Sequence, residues 1–111
     1  MAGRADIEAW LAGQETAMIA LLADLVNVDS GTYDKAGVDA CGAVLSAFWS
    51  QHGLETTVSP NERFGDALMA RLPDTTAADQ RPILLLGHRD TVFAQGEAAR
   101  RPFTIREGRG Y

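Results

Sequence analysis

Ile83-Leu84-Leu85-Leu86-Gly87-His88-Arg89-Asp90-Thr91-Val92 runs an apolar segment straight into a histidine and a carboxylate spaced two residues apart. Residues 83–87 are too short and too uniformly apolar for a surface helix, and they predict a buried central strand. If strand geometry persists through residue 90, alternate side chains share a face. His88 and Asp90 then point one way and Arg89 the other. One ring nitrogen of His88 is then placed to bind a metal. The other is placed to donate its hydrogen to Asp90, a pairing that fixes the tautomer and raises the basicity of the ligating nitrogen. On the residues alone, the pair serves equally as two hydrogen-bonded structural groups or as a metal or catalytic site. Position favours the second use, because ligands in open α/β sheets gather outside the carboxyl ends of strands, and Gly87 allows close backbone approach there.

Upstream, the apolar positions Ile7, Trp10, Leu11, Met18, Leu21, Leu22 and Leu25 recur at three- and four-residue steps. That period predicts helix over residues 6–26, broken near Gly13. Asp29-Ser30-Gly31-Thr32 carries turn chemistry. Val38, Cys41, Val44, Leu45, Phe48 and Trp49 repeat the helical phase over residues 35–52, with Gly53 as a left-handed C-cap. His52, in the last turn, suits the helix C-terminus or plain exposure. Residues 54–59 and 67–72 read as strands, Pro60-Asn61 ends the first, and residues 73–82 read as an exposed loop. Downstream, residues 93–102 lack either period. Residues 103–105 suggest a short strand and Glu107-Gly108-Arg109-Gly110 a turn. Two helices followed by several strands of a mixed sheet imply an α/β layered domain.

Composition narrows the function. The chain has 111 residues, of which 46% are apolar and 23% charged, and it has no apolar run long enough to span a bilayer. The size is that of a single small domain. A net charge of −5 argues against nucleic acid as a partner, since phosphate neutralisation needs clustered cations. Arg100, Arg101, Arg106 and Arg109 do cluster, and read as a solvated loop and strand edge. No membrane partner is implied, and acids near the N-terminus interrupt any secretory signal, which predicts a cytoplasmic location. The lone Cys41, in helical phase, reads as a small buried side chain.

Rival catalytic schemes fail on residues. His88-Arg89-Asp90 matches the catalytic triplet of protein kinases, but Gln95 stands where that motif needs asparagine, and the only lysine, Lys35, precedes a helix. There is no Gly-x-Ser-x-Gly elbow for a serine nucleophile.

Gly87-His88-Arg89-Asp90-Thr91-Val92 resembles the first metal-site motif of peptidase family M20, the zinc metallopeptidases, whose pattern is Gly-His-x-Asp-Thr-Val. The similarity extends over residues 25–32 and 94–111, closest to the glutamate carboxypeptidase branch. The resemblance implies that His88 ligates one zinc of a two-ion site and that Asp90 orients it in a catalytic role. Arg89 fills the variable position. It further implies that residues 1–111 are the N-terminal portion of a layered α/β catalytic domain, with the general base and remaining ligands outside this chain. The implied parent is a zinc-dependent amidohydrolase or carboxypeptidase, with other divalent metals as alternatives to zinc. It would act on a small peptide or N-acyl amino acid and form a homodimer. The isolated chain is expected to be inactive. A stand-alone non-catalytic α/β binding or regulatory module and a deacylase of the same family are the competing expectations.

Overall fold

The computed structural model describes residues 2–73 and 81–111. Helix α1 (Arg4–Ala12) and helix α2 (Glu15–Val26) are separated at Gly13, as the apolar period predicts. Neither is long and apolar enough alone to cross a membrane, and the pair is bent by 62° at the break. Helix α3 (Lys35–Gln51) starts at Asp34, whose carboxylate accepts from the Gly37 amide at 3.0 Å and so satisfies one of the free donors of the first turn. It ends where Gly53 takes a positive φ of 76°. His52 is exposed, with Nδ1 2.8 Å from the Phe48 carbonyl oxygen, in keeping with its reading as a helix-end residue.

Strand β1 (Glu55–Ser59) pairs antiparallel with β2 (Ala67–Arg71), Thr57 opposite Met69. The intervening loop folds on Asn61, whose side-chain oxygen accepts from the Arg63 and Phe64 amides, and on Asp66, which accepts from the Asn61 amide. At Gly65 this loop presses against α3, and an added Cβ would lie 2.1 Å from Val38 Cγ1. Only glycine permits that approach. After the described gap come a single helical turn, α4 (Glu97–Arg100), and a hairpin of β3 (Ile105–Arg106) with β4 (Arg109–Gly110), turning through Glu107 and Gly108. Arg100 and Arg101 of the basic cluster both pair with Glu97. The loop expected over residues 73–82 falls largely outside the described residues.

The α/β class stands, with the strands in two antiparallel pairs and one parallel bridge, Gly31 to Thr91. The central-strand expectation is corrected. Residues 81–90 form no ladder, and Ile83 and Leu85 are 91% and 89% exposed. The reason is the absence, among the described residues, of a strand alongside them. An apolar run is buried only when neighbours supply the covering faces. Gly87 likewise has nothing within 4 Å of a would-be Cβ, so it makes no close backbone approach here.

The buried centre is small: Val38, Cys41, Gly42 and Ser30. Burial pushes the Cys41 thiol above its ordinary range, which keeps it protonated and inert. The radius of gyration is 16.5 Å, against about 13 Å for a compact domain of this length.

Candidate functional site

Residues 27–32 act as a rail for the last third of the chain. The Thr91 amide donates to the Ser30 carbonyl at 2.7 Å and the Thr32 amide to the Thr91 carbonyl at 2.9 Å. Side chains extend the attachment: Asp29 accepts from the Gly96 and Ala98 amides, and Asn27 from the Phe103 amide. These two amides hold the Asp29 carboxyl below the usual aspartate range, the Ala98 bond first.

Held on this rail, the motif splits its side chains between opposite directions. Arg89 turns inward, 17% exposed, and donates from Nε to the Val38 carbonyl at 3.0 Å and from Nη2 to the Asp66 carbonyl. Its guanidinium lies beside a cluster in which Lys35 Nζ bonds Asp39 at 2.8 Å and Asp66 at 2.6 Å. The Asp66 amide also donates to Asp39. Lys35 lowers the pKa of both aspartates and is itself raised by them, Asp39 foremost. The variable position of the motif is therefore bolted to α3 and to the β1–β2 loop.

His88 and Asp90 contact one another instead. His88 Nδ1 lies 3.0 Å from the Asp90 carbonyl oxygen and 3.3 Å from Asp90 Oδ1. Both partners only accept, so the neutral ring carries its proton on Nδ1 and leaves a lone pair on Nε2. The His88 side chain is 85% exposed and that of Asp90 36%. Asp90 is steadied by Thr32, whose hydroxyl lies 2.7 Å from Oδ2 and 3.1 Å from the Thr91 carbonyl oxygen. The single hydroxyl proton serves the carboxylate, the closer and charge-assisted acceptor. This contact is the foremost reason that the Asp90 carboxyl sits below its usual range, ahead of the contribution from His88.

Two hollows meet at the motif. One, of about 390 Å³, is walled by Thr32, Phe64, Asp66, His88 and Asp90 among others. The larger, about 1090 Å³, is an apolar trough between residues 81–87 and the α3–β2 face, and His88 stands at its end. Thr32, His88, Arg89 and Asp90 all border the smaller hollow. Among the described residues no three His, Cys, Asp or Glu side chains are grouped to hold a metal ion. What the arrangement offers is one oriented imidazole with a free, solvent-facing nitrogen.

Thr32 and the anchoring partners of Arg89 are not singled out by spacing. Thr32 precedes Asp90 by 58 residues, and its turn-forming neighbours give it an ordinary local explanation.

No protein-family model matches the chain. Over 100 residues, 88% of its length, it is 30% identical to carboxypeptidase G2 of Pseudomonas sp. (strain RS-16), and those residues make up 23% of that protein. The chain thus spans about a quarter of the curated relative that it matches, and its distant likeness is to a carboxypeptidase.

Proposed function

We propose that this chain is the part of a metal-dependent peptidase-type hydrolase that supplies one zinc ligand, His88, and the group that aims it, Asp90. The supporting observation is the tautomer imposed on His88: with Nδ1–H engaged by Asp90, Nε2 is the ring's only lone-pair donor, and it is exposed. That donor suits zinc, and the carboxylate behind it is the partner that ligating imidazoles commonly have. The likeness to carboxypeptidase G2 and the motif's resemblance to family M20 point the same way.

One imidazole does not hold a catalytic zinc, which takes three protein ligands and an open water position. The remaining ligands and the general base therefore belong to other parts of a longer polypeptide, in which residues 1–111 are a portion of the catalytic domain. When bound, the metal supplies Lewis acidity toward an amide carbonyl and an acidified water. The residues of this chain contribute orientation: Asp90 holds the ring, and the Arg89 anchorage and the Gly31–Thr91 bridge hold the peptide that bears both. The substrates are small peptides or N-acyl amino acids, and the protein works in the cytoplasm, without nucleic acid or membrane, as a homodimer.

The test is the uninterrupted polypeptide loaded with zinc and assayed on dipeptides and N-acyl amino acids. His88→Ala should abolish turnover, and Asp90→Ala should reduce it by about 10–100-fold. Undiminished hydrolysis by the His88→Ala protein removes the ligand assignment and the function with it.

A further inference from the structure

The backbone around the motif is fixed from two sides, which leaves the side-chain torsions of Asp90 to be set. Behind it, Arg89 is tied to the Val38 and Asp66 carbonyls. Alongside, Thr91 exchanges backbone bonds with Ser30 and Thr32. Neither brace touches the Asp90 carboxylate. Its orientation decides whether Oδ1 faces His88, and a half-exposed aspartate left to itself rotates toward water. Among the described residues, this carboxylate is held by Thr32, at 2.7 Å from Oδ2, together with His88 and the Asp90 amide.

We propose that Thr32 is a positioning residue: its hydroxyl turns the Asp90 carboxylate so that Oδ1 joins the Asp90 main-chain carbonyl as a second acceptor for His88 Nδ1–H, which strengthens the preference for Nε2 as the free nitrogen of the ring. The division of labour follows from the atoms. Oδ2 is taken by the hydroxyl and Oδ1 is left for the imidazole, so the two contacts do not compete. A β-branched residue suits the task, because its restricted χ1 holds the hydroxyl in one direction. The role in metal binding rests on the zinc reading above, whereas the orientation itself does not.

The test therefore reads the ring without any metal. The full 111-residue chain is labelled with ring-¹⁵N histidine and examined at a pH of about 8.5, where imidazole rings are neutral. His88 is distinguished from His52 by the signal lost in His88→Gln. Wild type should show the Nδ1–H form. Asp90→Ala, which keeps the main-chain carbonyl and removes the carboxylate, should lower the Nδ1–H share and move the His88 nitrogens part of the way toward the Nε2–H form. Thr32→Val should move them in the same direction, and Thr32→Ser, which keeps the hydroxyl, should not. Because Thr32 acts through Asp90, Thr32→Val should add nothing in the Asp90→Ala background. If the valine protein does not fold, Thr32→Ala replaces it, with the amide signals of α3 and the β1–β2 hairpin reporting an intact fold.

The proposal is overturned by any of three results. The first is a wild-type ring without the Nδ1–H form. The second is ring nitrogens unmoved in the hydroxyl-free variants while Asp90→Ala moves them. The third is full additivity of the two substitutions. None of these readings involves hydrolysis, so their failure is separate from failure of the zinc assignment, which the His88→Ala assay decides.

Discussion

Residues 83–86 and residues 88–92 adjoin in sequence and are treated oppositely by the fold. The first four are apolar and almost bare to solvent. Past Gly87, the polar residues Arg89, Asp90 and Thr91 are fastened to the rail at residues 30–32, to α3 and to the β1–β2 loop, between an exposed His88 and an exposed Val92. Order in this part of the chain follows polar contacts over long sequence separations. Apolar character alone gives none, because a hydrophobic side chain is held only where another surface covers it.

The contrast can be broken most severely at Arg89. Replacing it by alanine leaves the Val38 and Asp66 carbonyls without their cationic donor, and should cost about 2–3 kcal/mol in a urea titration. Arg89→Lys should recover only part of this, since an ammonium does not reproduce the guanidinium fork that spans both carbonyls. An Arg89→Ala protein with an unshifted midpoint would show that the inward anchorage is incidental. Next in size, Gly65→Ala should destabilise by about 1–3 kcal/mol through collision with Val38. Calorimetry giving an unchanged melting temperature would place the loop farther from α3 than described.

Acid sharpens the comparison, because the fastened half contains the depressed carboxyls. Asp29, Asp39 and Asp66 all lie below the ordinary aspartate value of 3.8 in the folded chain. On acidification the unfolded chain takes up protons first. The stabilisation is therefore complete above the unfolded value and is lost as pH falls through the lower folded values. The urea midpoint should hold steady from pH about 7 to 5 and decline below about 4. Asp29→Asn should flatten that decline, and an identical profile in the variant would rule out the Gly96 and Ala98 bonds as a source. The smallest effect belongs to the bare stretch. Leu85→Ser should change the stability of this chain by no more than about 0.5 kcal/mol. A loss several times larger would mean that this stretch is covered in solution.

The same contrast explains what could be read beforehand. The helices, the break at Gly13 and the close at Gly53 follow from local periodicity and backbone preference, both of which a single segment contains. The closeness of His88 to Asp90 does not follow from strand alternation, because residues 81–90 form no ladder. Thr32 and the carbonyls of Val38 and Asp66 were not legible either, because their partners stand 58, 51 and 23 residues away and leave no spacing to detect. The expected central strand failed for a related reason. An apolar composition states what residues 83–87 would gain from cover, and says nothing of whether cover lies nearby.

The anchorage of Arg89 and Thr91 also bears on how this region tolerates changes of length. One residue inserted between them would displace the guanidinium from the Val38 and Asp66 carbonyls while Thr91 stays on its backbone bonds to Ser30 and Thr32. Insertions and deletions should thus be excluded from the step between these two residues, while the bare run before Gly87 accepts them more readily.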